Sequence, residues 1–301
     1  MTIMTSKEQI AEKPDFRHLL AKISTETPFS KLTRVARLLV PSRYRFKIRH
    51  ILGMDRQMKD VSTGTIIEKH LEGDGEHAFR AMISTIGDAD ILVRTTEQQF
   101  EQEIVAVFNS AAPGTTFLDI GSANGVYSLA AAAHGILTFS IDAFKPALDS
   151  LGKSVAQNDG FDGLITSIHT AVGSEKGTLT LNYDSQQSLS PALSKSHEKF
   201  DRQVDVRVTT IDALIEEETI PFPSILKMDI EGAEVMAIEG AKKLLVSENK
   251  PRHIFIELHI DSSKKMGGNI YEVGQKLLNY GYTLESAERC PAGYLCHFTT
   301  I

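Results

Sequence analysis

Residues 116–125 read TFLDIGSANG, and this stretch decides the fold. Residues 116–120 form a short apolar strand that runs directly into a loop with glycines at Gly121 and Gly125. The following residues, GVYSLAAAA over 125–133, continue as a helix. A strand, a glycine turn and a helix in this order are typical of the first unit of an open α/β sheet with parallel strands.

The chain on both sides of this unit repeats the alternation of strands and helices. A helix over 97–111 precedes it and ends at Pro113 and Gly114. The further predictions are strands at 137–141, 164–169, 178–183, 204–209, 225–228 and 253–258, and helices at 147–158, 233–246 and 270–280. Residues 282–287 and 294–299 read as a hairpin that adds an antiparallel edge strand. The pattern predicts one Rossmann-like domain over 96–301, a doubly wound, mostly parallel, seven-stranded sheet.

Residues 1–95 lack this alternation and are predicted to form a mainly helical extension. Within it, residues 75–86 look helical and stop at Gly87. Segment 31–59 carries nine Lys or Arg and one acid beside apolar side chains. Such a segment could make peripheral contact with anionic lipid head groups. Alternatively, its apolar side packs on the α/β domain or on a second copy of the chain in a homo-oligomer.

Composition and charge argue against several classes of protein. With 42% hydrophobic and 24% charged residues, the 301-residue chain matches ordinary globular proteins rather than disordered ones. Its 32 Lys and Arg stand against 39 Asp and Glu, so a nucleic-acid partner is not expected. Cys290 and Cys296 cannot build a disulfide framework, and no apolar run has the length of a membrane span. The first residues lack an apolar signal core, so we expect a cytoplasmic protein.

Two acids at the tips of the first two strands indicate a nucleoside ligand. Ligands bind such sheets outside the carboxyl ends of the strands. Asp119 would repel a pyrophosphate but attract a cationic head such as that of S-adenosylmethionine. Asp142, at the tip of the second strand, can hydrogen-bond ribose hydroxyls. The alternative for each is a solvated acid in a strand–helix turn. Ala123 replaces the second glycine of a dinucleotide fingerprint, which disfavours a nicotinamide cofactor.

A second motif, ILKMDIEGAE over 225–234, runs from an apolar strand into three acids around a glycine. Asp229 and Glu231 lie at the strand tip, above the predicted cofactor position, and Glu231 is a candidate to bind the substrate. Glu234 falls in the first turn of the next helix, where capping is an equal alternative to a functional role.

Residues 226–234, LKMDIEGAE, resemble the signature of the FkbM-type S-adenosylmethionine-dependent methyltransferases. The resemblance extends over about 95–286 and includes LDIGSANGVYSL at 118–129 and VRVTTIDAL at 206–214. It implies a class I methyltransferase fold and methyl transfer to a hydroxyl oxygen of a sugar, glycan or other secondary metabolite. It places Asp229 beside the transferred methyl group. The cofactor residues that it implies are Asp119, Gly121, Ser122, Gly125, Asp142, Ala143 and Ala171.

Methyl transfer to a hydroxyl needs aligned reactants and a base for the hydroxyl proton. His259 ends the fifth strand at the same edge as Asp229 and could be that base, or a structural histidine bonded to a neighbouring loop. Glu257 points to the same side as His259 and could orient it. Together with Glu231 these residues could hold a divalent cation, but no metal is expected because their spacing is not diagnostic.

Ser188 lies in the polar segment 184–201 between two predicted strands and is a candidate to contact the small-molecule or glycan acceptor. A flexible surface loop is the alternative for this segment. Two other functions stay open: a catalytically silent adaptor with a methyltransferase-like fold, and a nicotinamide-dependent oxidoreductase.

Overall fold

The computed structural model describes residues 15–24, 66–71, 77–82, 99–183 and 202–300. The basic segment 31–59 and Ser188 lie outside these residues, so the predictions made for them stay predictions.

A seven-stranded sheet forms the centre of the structure. The strands described along the chain are β1 (Ile66–His70), β2 (Ala78–Met82), β3 (Thr116–Ile120), β4 (Leu137–Asp142), β5 (Ile165–His169), β6 (Ala171–Val172), β7 (Gly177–Tyr183), β8 (Arg202–Thr209), β9 (Ile225–Met228), β10 (His253–His259), β11 (Thr283–Arg289) and β12 (Gly293–Thr299). The central sheet has the order β11-β12-β10-β9-β3-β4-β5. Its strands β5, β4, β3, β9 and β10 pair in parallel, and the hairpin β11–β12 is antiparallel. The predicted doubly wound, mostly parallel sheet is confirmed.

Helices cover both faces of this sheet. They are α1 (Phe16–Ile23), α2 (Gln99–Asn109), α3 (Val126–Ala133), α4 (Lys145–Val155), α5 (Ile211–Glu216), α6 (Glu234–Glu239), α7 (Lys242–Val246), α8 (Ile260–Lys265) and α9 (Ile270–Asn279). Successive strand residues point to opposite faces, so Phe117 packs with α2 and α3 while Leu118 packs with α6 and α9. This alternation explains why the central strands read as unbroken apolar runs.

The helix predicted over 233–246 is wrong, because the structure has the two helices α6 and α7 there. At the break, a Cβ on Gly240 would lie 2.0 Å from the carbonyl oxygen of Gly173, so only glycine allows this approach. The carboxylate of Asp212 then accepts hydrogen bonds from the backbone N–H groups of Lys243 and Leu244. The contact between Gly240 and Gly173 places the end of α6 beside the end of β6, a strand that pairs with β8 in a small second sheet of order β6-β8-β7.

The helix predicted over 75–86 is also wrong in its described part. Strand β2 pairs antiparallel with β1, and its residues alternate, with Phe79 and Ala81 buried and Arg80 exposed. This two-residue period is that of a strand on a covered face. The described part of residues 1–95 is therefore one helix and one hairpin. Helix α1 inserts Phe16 into the main core, where its ring stacks on Phe298 at 5.8 Å.

Candidate active site

A cavity of about 440 Å³ opens at the carboxyl ends of β3, β4 and β9, where an open α/β sheet binds its ligands. The small sheet of β6, β7 and β8 forms its opposite wall. The volume lies within the range of sites that enclose small organic ligands. Of the predicted site residues, the cavity is lined by Gly121, Asp142, Ala143, Ala171, Asp229 and Glu231.

Gly121 joins β3 to this cavity. Its φ is +74°, and a Cβ would lie 1.8 Å from the carbonyl oxygen of Asp229, so the end of β9 packs directly on the loop. Gly125 has a φ of +78°, but its missing Cβ makes room for the side chain of Leu151 on α4. The absence of a side chain at Gly125 thus serves the packing of α4 against this loop, and its predicted role at the cofactor stays a prediction.

Asp119 is not among the residues that line the cavity, and its predicted contact with the cofactor stays a prediction. Its side chain is completely buried, and its Oδ2 accepts a hydrogen bond of 2.6 Å from Ser128 Oγ. Lys227 Nζ lies 3.6 Å from Asp119 Oδ1 and 3.9 Å from Asp229 Oδ2. Burial by itself favours the neutral amine, yet the two carboxylates raise the pKa of Lys227 above its ordinary value. The cation that Asp119 meets is thus Lys227, beneath the cavity.

Asp142 is placed as the sequence predicts, at the tip of β4 on the cavity wall. Its Oδ2 accepts from the N–H of Ala123 at 2.8 Å and its Oδ1 from the N–H of Phe144 at 2.7 Å. Burial raises the pKa of this carboxyl to about 6. Because a carboxylate has about four lone-pair sites, both oxygens keep capacity to accept ribose hydroxyls. Ala143 and Ala171 flank it on the cavity wall.

Three buried side-chain oxygens at the carboxyl ends of β3 and β9 have no hydrogen-bond partner among the described residues. They are Asp119 Oδ1 near the end of β3, Ser122 Oγ in the loop after β3, and Asp229 Oδ1 after β9. Buried polar atoms of native proteins are almost always satisfied. Of these three residues, only Asp229 lines the cavity, so its oxygen is the one available to a ligand there.

Four acidic side chains surround His259 at the end of β10. Its Nδ1 lies 2.9 Å from Glu234 Oε1, while its Nε2 lies 3.5–3.7 Å from oxygens of Asp229, Glu231 and Glu257. Burial alone lowers the pKa of this imidazolium, but the hydrogen bond to Glu234 and the charges of Glu257 and Asp229 outweigh it and raise the pKa to about 10. His259 therefore carries a proton at neutral pH in this arrangement.

Glu257 lies at the rim of the same cluster. Burial and the charge of Asp229 raise its pKa to about 7. The thiol of Cys290 approaches Glu257 Oε1 at 3.4 Å. A carboxyl group with a pKa near neutrality can both release and accept a proton under physiological conditions.

Sequence reasoning gave no role to Lys227 and left Glu234 undecided. Glu234 is fully buried, and its Oε1 accepts from the N–H of Gly232 at 3.0 Å as well as binding His259. It thus links the turn before α6 to the histidine and makes no capping hydrogen bond to the first turn of its own helix. A signal for Lys227 was present, since a lysine inside an apolar strand indicates a buried acidic partner.

A profile of the FkbM methyltransferase domain matches residues 119–284, more than half of the chain. The chain belongs to the FkbM methyltransferase family. The matched residues begin at Asp119 and contain the whole cavity wall and the His259 cluster. The resemblance drawn from residues 226–234 is confirmed.

Several known proteins are similar to this FkbM-family chain. The hexuronic acid methyltransferase AglP of Haloferax volcanii is 22% identical over 202 residues, which cover 66% of this chain and 78% of AglP. The crystal structure of methyltransferase FkbM from Methylobacillus flagellatus aligns with a TM-score of 0.43 and 18% identity, over 62% of this chain and 43% of that chain. An S-adenosylmethionine-dependent methyltransferase from Agrobacterium tumefaciens aligns with a TM-score of 0.43 and 13% identity, over 80% of this chain and 71% of that chain.

The chain thus spans less than half the length of the Methylobacillus structure. Among the described residues, the structure contains no helix that is both long and apolar enough to cross a membrane.

Proposed function

We propose that the protein is an S-adenosylmethionine-dependent O-methyltransferase whose acceptor is a hydroxyl of a sugar or glycan. The observation that carries this proposal is the cavity at the ends of β3, β4 and β9, which is lined by both Asp142 and Asp229. Membership of the FkbM methyltransferase family supports methyl transfer over the nicotinamide-dependent alternative. The sugar acceptor is suggested by the name of AglP, which acts on a hexuronic acid.

The cavity residues fit the parts of this cofactor. Asp142 would accept the ribose hydroxyls at the cavity wall. The bound cofactor supplies an electrophilic methyl group on a positively charged sulfur. The two carboxylates of Asp229 and Glu231 give the cavity a negative end, which favours that charge.

The cofactor would supply its methyl group to the acceptor hydroxyl oxygen and keep the electron pair of the broken carbon–sulfur bond on sulfur. The hydroxyl proton must then leave to a residue of the chain. His259 is already protonated, so the acceptor of that proton is a carboxylate. Asp229 faces the cavity and Glu257 lies behind it, which makes these two the candidates. Glu234 would act as a positioning residue through His259.

A methyl-transfer screen tests this proposal. The protein is incubated with ¹³C-methyl-labelled cofactor and with glycosides of neutral sugars and uronic acids, and the products are analysed by NMR. We expect a labelled methyl ether on a sugar hydroxyl. A labelled methyl ester on a uronic acid carboxyl would overturn the hydroxyl acceptor. Absence of transfer to every acceptor, with the cofactor bound, would favour the silent adaptor instead.

A further inference from the structure

The side chains around His259 have the composition of a divalent-cation site. Asp229, Glu231 and His259 each offer one ligand atom, and these three atoms all lie within 4.8 Å of one another. Ligands that share one small divalent ion lie about 2.0–2.2 Å from it, and hence up to about 4.4 Å apart. Small side-chain rotations, with release of the proton from His259 Nε2, would therefore bring the group onto one ion.

The histidine is oriented for this role. Only 4% of His259 is exposed, and Glu234 fixes its Nδ1 at 2.9 Å, which directs Nε2 at the carboxylates. Nε2 lies 3.7 Å from Asp229 Oδ1 and 3.5 Å from Glu231 Oε2, beyond ordinary hydrogen-bond length. Metal-bound histidines commonly donate their other ring nitrogen to a carboxylate in this way. Glu234 thus occupies the position of an outer-shell carboxylate.

A second and independent observation is the buried oxygen of the same cluster. Asp229 Oδ1 has no hydrogen-bond partner among the described residues. It is also the oxygen that faces His259 Nε2. A cation between the two atoms would satisfy this oxygen and offset the charge that Asp229, Glu231 and Glu257 concentrate at one place.

We propose that Asp229, Glu231 and His259 bind one divalent cation at the inner end of the cavity, and that the cation holds the acceptor hydroxyl oxygen. The carboxylate oxygens suit either Mn²⁺ or Mg²⁺, and the imidazole nitrogen favours Mn²⁺ of the two. The sequence spacing did not predict this site, because residues 229, 231 and 259 meet only when β9 and β10 pair.

The role of the cation rests on the proposed methyl transfer. Coordination would orient the hydroxyl oxygen towards the methyl group and weaken its O–H bond. Oxygen would gain the methyl group, sulfur would keep the electron pair of the broken bond, and the hydroxyl proton would leave to a carboxylate, as in the methyl transfer proposed above.

Titration with Mn²⁺ tests the site without cofactor or acceptor. The full chain is titrated while the electron paramagnetic resonance signal of free Mn²⁺ is recorded. Wild type should show a saturable site. Affinity should fall by at least about tenfold in Glu231→Gln and Asp229→Asn, since even outer-shell changes cost about 10–100-fold. Glu216→Gln removes a surface carboxylate that pairs with Lys243, and it should bind like wild type.

The variants are chosen so that folding does not decide the result. The Glu231 side chain is 52% exposed, so its amide should leave the fold intact, which a thermal melt verifies. The absence of a saturable site in wild type, or unchanged affinity in both site variants, would overturn the cation site.

Turnover separates this inference from the proposed function. Chelation should lower methyl transfer, and added Mn²⁺ or Mg²⁺ should restore it. Turnover that is indifferent to chelation would overturn the acceptor-holding role while leaving methyl transfer in place. Saturable Mn²⁺ binding without methyl transfer to any acceptor would overturn the proposed function and leave the cation site in place.

Discussion

Gly121→Ala should destabilise the protein because this glycine is the contact between the loop after β3 and the end of β9. At a φ of +74°, a side chain costs about 1–2 kcal/mol in backbone conformation. The new Cβ would also lie 1.8 Å from the Asp229 carbonyl oxygen, so the strand end must shift. Such overpacking costs about 1–3 kcal/mol more. We expect the free energy of unfolding, measured by urea denaturation, to fall by about 2–5 kcal/mol in total.

Gly114→Ala is the matched control. Its φ is +84°, and a Cβ there meets no atom within 4 Å, so it carries the conformational cost alone. The difference between the two variants isolates the contact with Asp229, and we expect about 1–3 kcal/mol. A Gly121→Ala protein as stable as Gly114→Ala would refute the packing of the loop against β9.

Three further predictions concern the cofactor, turnover and membranes. Burial raises the pKa of Asp142 to about 6, and ribose hydroxyls donate to its ionised form. The affinity for S-adenosylhomocysteine, measured by calorimetry, should therefore decrease as pH falls below about 6. Asp142→Asn should remove this decrease. Asp229→Asn and His259→Gln should each lower the turnover rate about a hundredfold or more, while affinity for S-adenosylhomocysteine stays near wild type. Unchanged turnover rates in both variants would remove both residues from the mechanism. The protein should float with anionic vesicles at low salt and not with neutral ones, because each basic residue of segment 31–59 near the surface would contribute about 1 kcal/mol of binding free energy. No flotation at low salt would favour packing of this segment on protein.

Local sequence pattern predicted the central sheet well. The bounds of β3 and β9 agree with those predicted from apolar runs, because buried parallel strands are apolar on both faces and are bounded by turn residues. The pattern failed where a distant contact decided the structure. Gly240 breaks a helical sequence because it meets Gly173, which lies 67 positions earlier in the chain. Residues 78–82 follow a strand period because β1 pairs with them.

The sequence also predicted some features of the candidate site and missed those that depend on distant contacts. The positions of Asp142 and Asp229 follow from the rule that ligands bind at the carboxyl ends of parallel strands, and both line the cavity. The state of Asp119 could not be predicted, because it depends on Lys227, which lies 108 positions later in the chain and meets Asp119 only when β3 and β9 pair. The charge of His259 depends likewise on Glu234, which reaches it from the start of another helix.

The central claim is that the cavity beside Asp142 binds S-adenosylmethionine, and calorimetric titration with S-adenosylhomocysteine tests it most directly. Wild type should bind at a single site. Asp142→Ala should bind at least about tenfold more weakly, because each charge-assisted hydrogen bond contributes about 1.5–3 kcal/mol. Asp149→Ala, which removes an exposed acid paired with Lys145, should bind like wild type. No binding by wild type, or equal binding by Asp142→Ala, would contradict the account.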